Sequence, residues 1–103
     1  MSTFEIILVI TKGTLRDFWE KHPTAALPLQ IWYKETQEAD WKTPHDVKAQ
    51  HGNASVVGSN RIVFNVKGND FRLIAAINYA TGIVYIRFIG THKEYDRIDA
   101  ATI

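Results

Sequence analysis

Hydrophobic and polar positions change their period once along this chain, near Asn53. Before that point the spacing is helical, apart from an opening run, Phe4 to Ile10 (FEIILVI), whose β-branched apolar residues predict a buried first strand. Thr11 or Thr14 can cap a short helix that places Leu15, Phe18 and Trp19 on one face and stops before Pro23. Thr24 can cap a second helix running to about Ala39, with Leu27, Ile31 and Ala39 on its apolar face and Trp32 and Tyr33 at the margin. Pro28 is compatible with that helix only in its first turn, where no amide hydrogen is needed. Thr43 followed by Pro44, with Asp46 in the first turn, predicts a third helix to about Gln50.

After Asn53 the period is that of strands. Ala54 to Val57, Arg61 to Lys67, Asp70 to Asn78 and Ile83 to Ile89 are extended runs. They are separated by Gly58-Ser59-Asn60, Gly68-Asn69 and Ala80-Thr81-Gly82, which are hairpin signals. Helices followed by a meander predict an α+β domain: an antiparallel sheet with two to three N-terminal helices packed on one face. The opening strand is free to join that sheet, and residues 1–103 form one domain.

Alternation sorts the sheet residues into two faces. Ile62, Phe64, Val66, Phe71, Leu73, Ala75, Ile77, Val84, Ile86 and Phe88 form an apolar face for the helices. The opposite face carries Arg61, Asn65, Lys67, Arg72 and Arg87, with Tyr85 and Ile89, and no acid is assigned to it. The tight Gly68-Asn69 connection brings Lys67 and Arg72 to the same end of adjacent strands. An arginine fork, a mobile lysine and a neutral amide beside a turn suit an oxyanion or phosphate; a solvated sheet face is the bland alternative.

Composition narrows the field. The 103 residues are 46% hydrophobic and contain no cysteine, which excludes disulfides, thiolate metal sites and a cysteine nucleophile. The apolar run Ile6 to Ile10 is too short for a membrane span or a signal-peptide core, so a soluble cytoplasmic protein is expected. Twelve Lys and Arg against 11 Asp and Glu give a net charge of +1, which does not by itself suggest a nucleic-acid binder. The charge is partitioned, however: −2 over residues 1–40 and +3 over residues 41–103. Between Asn53 and His92, Arg61, Lys67, Arg72 and Arg87 face Asp70 alone.

The last strand runs into Gly90-Thr91-His92-Lys93-Glu94-Tyr95-Asp96. Thr91 and Glu94 have capping-box spacing, and the helical turn they start sets His92 and Tyr95 on one side. An imidazole beside a phenol offers two proton-transfer groups, although a surface histidine and a core-edge tyrosine have the same spacing. His92 and Asp96 alone do not make a metal site, and His45, Asp46 and His51 read as solvated loop residues. No metal and no cofactor is expected; phosphate-loop, dinucleotide and nucleophile-elbow motifs are lacking.

Taken together, Ala39-Asp40-Trp41, Arg61-Ile62-Val63-Phe64-Asn65-Val66, Gly68-Asn69-Asp70-Phe71-Arg72-Leu73 and Gly90-Thr91-His92-Lys93-Glu94-Tyr95-Asp96 resemble HigB-type toxins of bacterial toxin-antitoxin systems, within the RelE-like ribonucleases. The resemblance covers the chain from Thr14 onward and leaves open the role of residues 1–5. It implies an mRNA interferase that cleaves translated mRNA on the ribosome and is neutralised by a HigA-type helix-turn-helix antitoxin, DNA being contacted only through that antitoxin. It also implies that Arg72 holds the scissile phosphate, with Lys67 beside it, and that His92 and Tyr95 serve acid–base chemistry. Arg61, Asn65, Asn69, Arg87 and Lys93 are the expected RNA contacts.

RNA carries its own 2′-OH nucleophile, so cleavage requires alignment and charge stabilisation and no metal. Which of His92 and Tyr95 is acid and which base stays open, as do base preference and stoichiometry. A non-catalytic RNA-binding module, or an inactive toxin that still binds its antitoxin, is the alternative. With so few cations, free RNA should bind weakly and with strong salt dependence.

Overall fold

The computed structural model describes residues 8–58 and 60–103. The elements follow in the order β1 (Leu8–Ile10), α1 (Lys12–Lys21), a 3-10 turn (Pro23–Ala25), α2 (Ala26–Gln37), α3 (Pro44–Gln50), β2 (Ser55–Val57), β3 (Arg61–Val66), β4 (Phe71–Asn78), β5 (Ile83–Thr91) and α4 (His92–Tyr95). Residues 4–7 of the expected first strand, the extension 1–5 and Ser59 of the first hairpin lie outside the described residues.

The fold is α+β, and β2 to β5 form the expected antiparallel meander. The sheet is nevertheless mixed, because β1 joins its edge parallel to β5, giving the order β1-β5-β4-β3-β2. Thr11 ends β1 in a left-handed conformation (φ 68°), and its hydroxyl accepts from the Ile86 amide and donates to the Ile86 carbonyl, both at 3.2 Å. The side chain thus extends the pairing with β5 by one residue while the backbone turns into α1.

Helices α1 to α3 cover one face of the sheet. Leu15, Leu29, Trp32, Trp41 and Val47 pack there on Ile62, Phe64, Leu73, Ile77 and Val84. The Trp32 ring meets Phe64 edge-on at 5.3 Å, and Trp41 stacks on it at 6.0 Å. The apolar face expected for the second helix is corrected: Leu29, Trp32 and Thr36 are buried, whereas Leu27 and Ile31 are 66% and 48% exposed. The Pro23–Ala25 turn sets the phase, so the helix starts at Ala26 rather than on a Thr24 cap and places Pro28 in its first turn. The third helix begins as expected, with Thr43 and Asp46 forming a full capping box.

The second face of the sheet is also covered. Val63, Ile74 and Ala100 are buried there, with Val57, Phe88, Tyr95, Ile98 and Ile103 packed around them. The expectation that Phe88 joins the helix face and Ile89 the open face is reversed. Pairing steps from Ile74–Phe88 to Ala75–Ile86 and leaves Arg87 unpaired. That one-residue bulge flips every later side chain of β5.

His51 is not a solvated loop residue. Its ring lies edge-on to Phe64 at 5.1 Å and to Trp41 at 5.8 Å, and its Nε2 is buried without a hydrogen-bond partner among the described residues. Burial lowers its pKa below the ordinary histidine value, with Glu35 opposing the effect. A lowered folded-state pKa means that the unfolded chain binds the proton more tightly. Stability is therefore complete above a pH of about 6.5 and declines as pH falls through that value. The melting temperature should drop between pH 7.5 and pH 5.5, and His51→Phe should remove most of that drop in a thermal-denaturation series.

Candidate active site

The β3–β4 turn spans residues 67–70 and is built on two consecutive left-handed residues, Lys67 (φ 52°) and Gly68 (φ 62°). Gly68 adopts that geometry freely, whereas Lys67 carries a strain of about 1–3 kcal/mol. The Lys67 ammonium lies 3.0 Å from Asp70 Oδ2, with both side chains about half exposed. This corrects the expectation of an acid-free face. An ion pair at such exposure contributes only about 0–1 kcal/mol, so an anionic ligand can compete for the lysine.

Arg72 follows on β4, opposite Asn65 of β3 and Gly90 of β5. It is only 9% exposed. Its Nη1 donates to the carbonyls of Asn69 and Phe71, each at 3.2 Å, and its Nη2 to Asn69 Oδ1 at 3.4 Å. A guanidinium has five N–H donors, so two remain after these three bonds. No carboxylate pairs with it among the described residues. The ring centroid of Tyr95 lies 5.9 Å from the guanidinium carbon, within cation–π range. A nearly buried charge supported by carbonyl dipoles and a ring, with donors to spare, is built to receive an anion.

The imidazole arrives from α4. Glu94 N–H donates to Thr91 Oγ1 at 3.1 Å and Thr91 N–H to Glu94 Oε1 at 2.8 Å, which is the expected capping box. The His92 amide donates to the Asp70 carbonyl at 3.1 Å and fastens this helical turn to the β3–β4 turn. His92 Nδ1 lies 3.1 Å from Asp96 Oδ2. An ionised carboxylate only accepts, so Nδ1 carries the hydrogen, and Nε2 is left for proton transfer.

Arg72, Asn65, Asn69, Lys67, His92 and Tyr95 thus gather at one end of the sheet. The Asn65 side chain and the exposed Lys93 make no hydrogen bond or ion pair among the described residues. Arg61 and Arg87 lie elsewhere. Arg61 pairs with Ala76, four residues along β4 from Arg72 and about 13 Å away at strand rise. Both arginines reach the main-chain oxygen of Ile103. No group of three or more His, Asp or Glu able to hold a metal occurs among the described residues.

Sequence reasoning missed two residues. Asp70 opens the extended run to Asn78, and alternation puts it on the same face as Arg72, which is the signal that points to it. Gly90 stands in the sequence only as the start of a motif, yet a Cβ there would lie 2.5 Å from Phe88 Cζ and 2.9 Å from Glu94 Oε1. Gly90→Ala should therefore displace the capping carboxylate and lower stability by about 1–3 kcal/mol, read as a fall in melting temperature.

Residues 25–98, which carry α2, α3, the four antiparallel strands and α4, match the family described as HigB toxin, the RelE-like toxic component of a toxin-antitoxin system. The chain belongs to the HigB toxin family. It is 29% identical over 92 residues to the mRNA interferase HigB of Escherichia coli O6:H1 (strain CFT073), covering 87% of this chain and 89% of that protein. It is 32% identical over 90 residues to the mRNA interferase toxin HigB of Escherichia coli K12, covering 85% and 86%, and to the mRNA interferase HigB of Shigella flexneri over the same shares. The HigB family match spans the turn at 67–70, Arg72 and α4. No helix among the described residues is long and apolar enough to cross a membrane.

Proposed function

We propose that this toxin is an endoribonuclease that cleaves mRNA on the translating ribosome by metal-independent attack of a 2′-OH on the adjacent phosphorus. The observation that carries this reading is the buried Arg72, which among the described residues keeps two free donors and has no carboxylate partner. The relatives named mRNA interferase HigB support the same substrate.

In this reading Arg72 binds a non-bridging oxygen of the scissile phosphate and holds it as negative charge grows in the transition state. Lys67 exchanges Asp70 for the same phosphate and adds a mobile charge. Asn65, Asn69 and Lys93 contact the flanking backbone. One of His92 and Tyr95 removes the proton from the 2′-OH, and the other protonates the departing 5′ oxygen. Asp96 fixes the His92 tautomer. The Tyr95 ring also supports the Arg72 guanidinium from the side. Because the nucleophile belongs to the RNA, the protein supplies geometry and charge without a covalent intermediate. A HigA-type helix-turn-helix antitoxin neutralises the toxin, and both act in the cytoplasm.

Product chemistry tests the reaction. Cells expressing the chain without antitoxin should accumulate mRNA fragments with 5′-OH ends and 2′,3′-cyclic phosphate or 3′-phosphate ends. Cleavage of ribosome-bound mRNA should survive a chelator that leaves the ribosome intact. Fragments bearing 5′-phosphates, or growth arrest without new RNA ends, would contradict the proposal.

A further inference from the structure

We propose that Arg61 and Arg87 are positioning residues, which act on the site through the chain segment that follows α4. This rests on the ribonuclease reading for its kinetic half and on the geometry alone for its structural half. Helix α4 has a single turn and buries none of its residues. Its first half is fastened by the capping box and by the His92–Asp70 bond. Its second half, which carries Tyr95, continues into residues 96–103, which cross the second face of the sheet as a strap.

The strap consists of two successive turns, closed by Ile98 N–H to the Tyr95 carbonyl at 3.2 Å and by Ile103 N–H to the Asp99 carbonyl at 3.2 Å. Ile98, Ala100 and Ile103 pack on Val63, Ile74 and Phe88, in the cluster that also holds the Tyr95 ring. Ordering each residue of such a segment costs about 1–2 kcal/mol, and a strip of three small or medium apolar residues offsets only part of that. A polar anchor stands at the far end. Arg61 donates to the Ile103 main-chain oxygen from Nε at 3.0 Å and from Nη2 at 2.7 Å, and Arg87 Nε adds a third donor at 3.4 Å. These bonds fix the end of the strap, the strap fixes Tyr95, and Tyr95 lies against Arg72.

The bulge gives Arg87 its place in this clamp. Without the extra residue in β5, Arg87 would be an ordinary paired position, and Phe88 would lie under the helices instead of under the strap. The basic residues of the sheet therefore divide between two tasks: Arg72 and Lys67 face the phosphate, and Arg61 and Arg87 hold the strap.

The test compares Arg61→Gln, Arg87→Gln and the double variant in the full chain. The single Arg87→Gln change, at an exposed side chain, serves if the double variant does not fold. Single-turnover cleavage of mRNA on programmed ribosomes gives the saturating rate and the half-saturating concentration. Hydrogen exchange of residues 95–103 and the Tyr95 ring resonances report on the strap. The expected result is a saturating rate lowered about tenfold or more, an unchanged half-saturating concentration with unchanged salt dependence, faster exchange in the strap and shifted Tyr95 resonances. A raised half-saturating concentration with a salt slope reduced by about one per arginine, and an undisturbed strap, would assign the arginines to RNA phosphates and overturn the proposal. An unchanged strap overturns it on any substrate, and a mobile strap with an unchanged rate overturns the coupling. If the wild-type chain cleaves no RNA, the ribonuclease reading fails separately, and exchange and Tyr95 resonances still decide the clamp.

Discussion

Replacing Arg72 with Ala should lower the saturating rate of mRNA cleavage about 10²–10³-fold, the usual cost of losing a preorganised donor to transition-state charge. The change also removes the donors to the Asn69 and Phe71 carbonyls, a destabilising effect of about 1–3 kcal/mol. Eliminating a nearly buried charge that has no carboxylate partner among the described residues offsets much of it. The variant should therefore melt within a few degrees of the wild type while losing toxicity. Arg72→Lys is the sharper control, because it keeps the charge and removes the fork. It too should lose most of its activity. Cleavage by purified Arg72→Ala at the wild-type rate would remove this side chain from the reaction.

The second large effect is expected at His92. His92→Ala should slow cleavage by about 10²–10⁴-fold if the ring transfers a proton in the rate-limiting step. The side chain is half exposed and sits on a one-turn helix, so the fold should be untouched. Asp96→Asn keeps the shape of the partner but replaces an acceptor-only carboxylate with a neutral amide that can also donate, so the ring tautomer is no longer dictated, and about a tenfold loss is expected there. Tyr95→Phe separates the hydroxyl from the ring. It should preserve the packing with Ile98 and Phe88 and lose only what the phenolic proton contributes. Rates measured at saturating substrate rank the three variants, and a fully active His92→Ala protein would refute the assignment.

The parts of the molecule that the sequence makes legible are those set locally. Hairpin turns, the helix start at Thr43, the capping box at Thr91, and the meeting of Lys67 and Arg72 at one end of adjacent strands each depend on residues a few positions apart, or on alternation counted outward from a glycine turn. The rest depends on distant partners. Leu27 and Ile31 are as well spaced for a core-facing stripe as Leu29, Trp32 and Thr36, and only the fit of Trp32 against Phe64 decides between them. The bulge at Arg87 has no local signature, so alternation along β5 fails after Ile86. Ile98, Ala100 and Ile103 sit in a polar stretch too short to show a period, which hid the strap and, with it, the positions of Arg61 and Arg87. Within the site, the residue types that carry the chemistry are visible in the sequence, but the near burial of Arg72, the Asp70 partner of Lys67 and the close packing around Gly90 arise only in the folded chain.

The parallel docking of β1 has a consequence for the order in which the molecule assembles. Thr11 meets Ile86 across 75 positions of chain, whereas every contact that defines the site joins residues between 65 and 96. Closing a long loop is entropically slower than zipping neighbouring hairpins, so the β3–β4–β5 hairpins and α4 should form before the first strand finds its edge. The toxic end of the sheet would then take shape early in folding, and the amino-terminal strand would lock the finished structure afterwards.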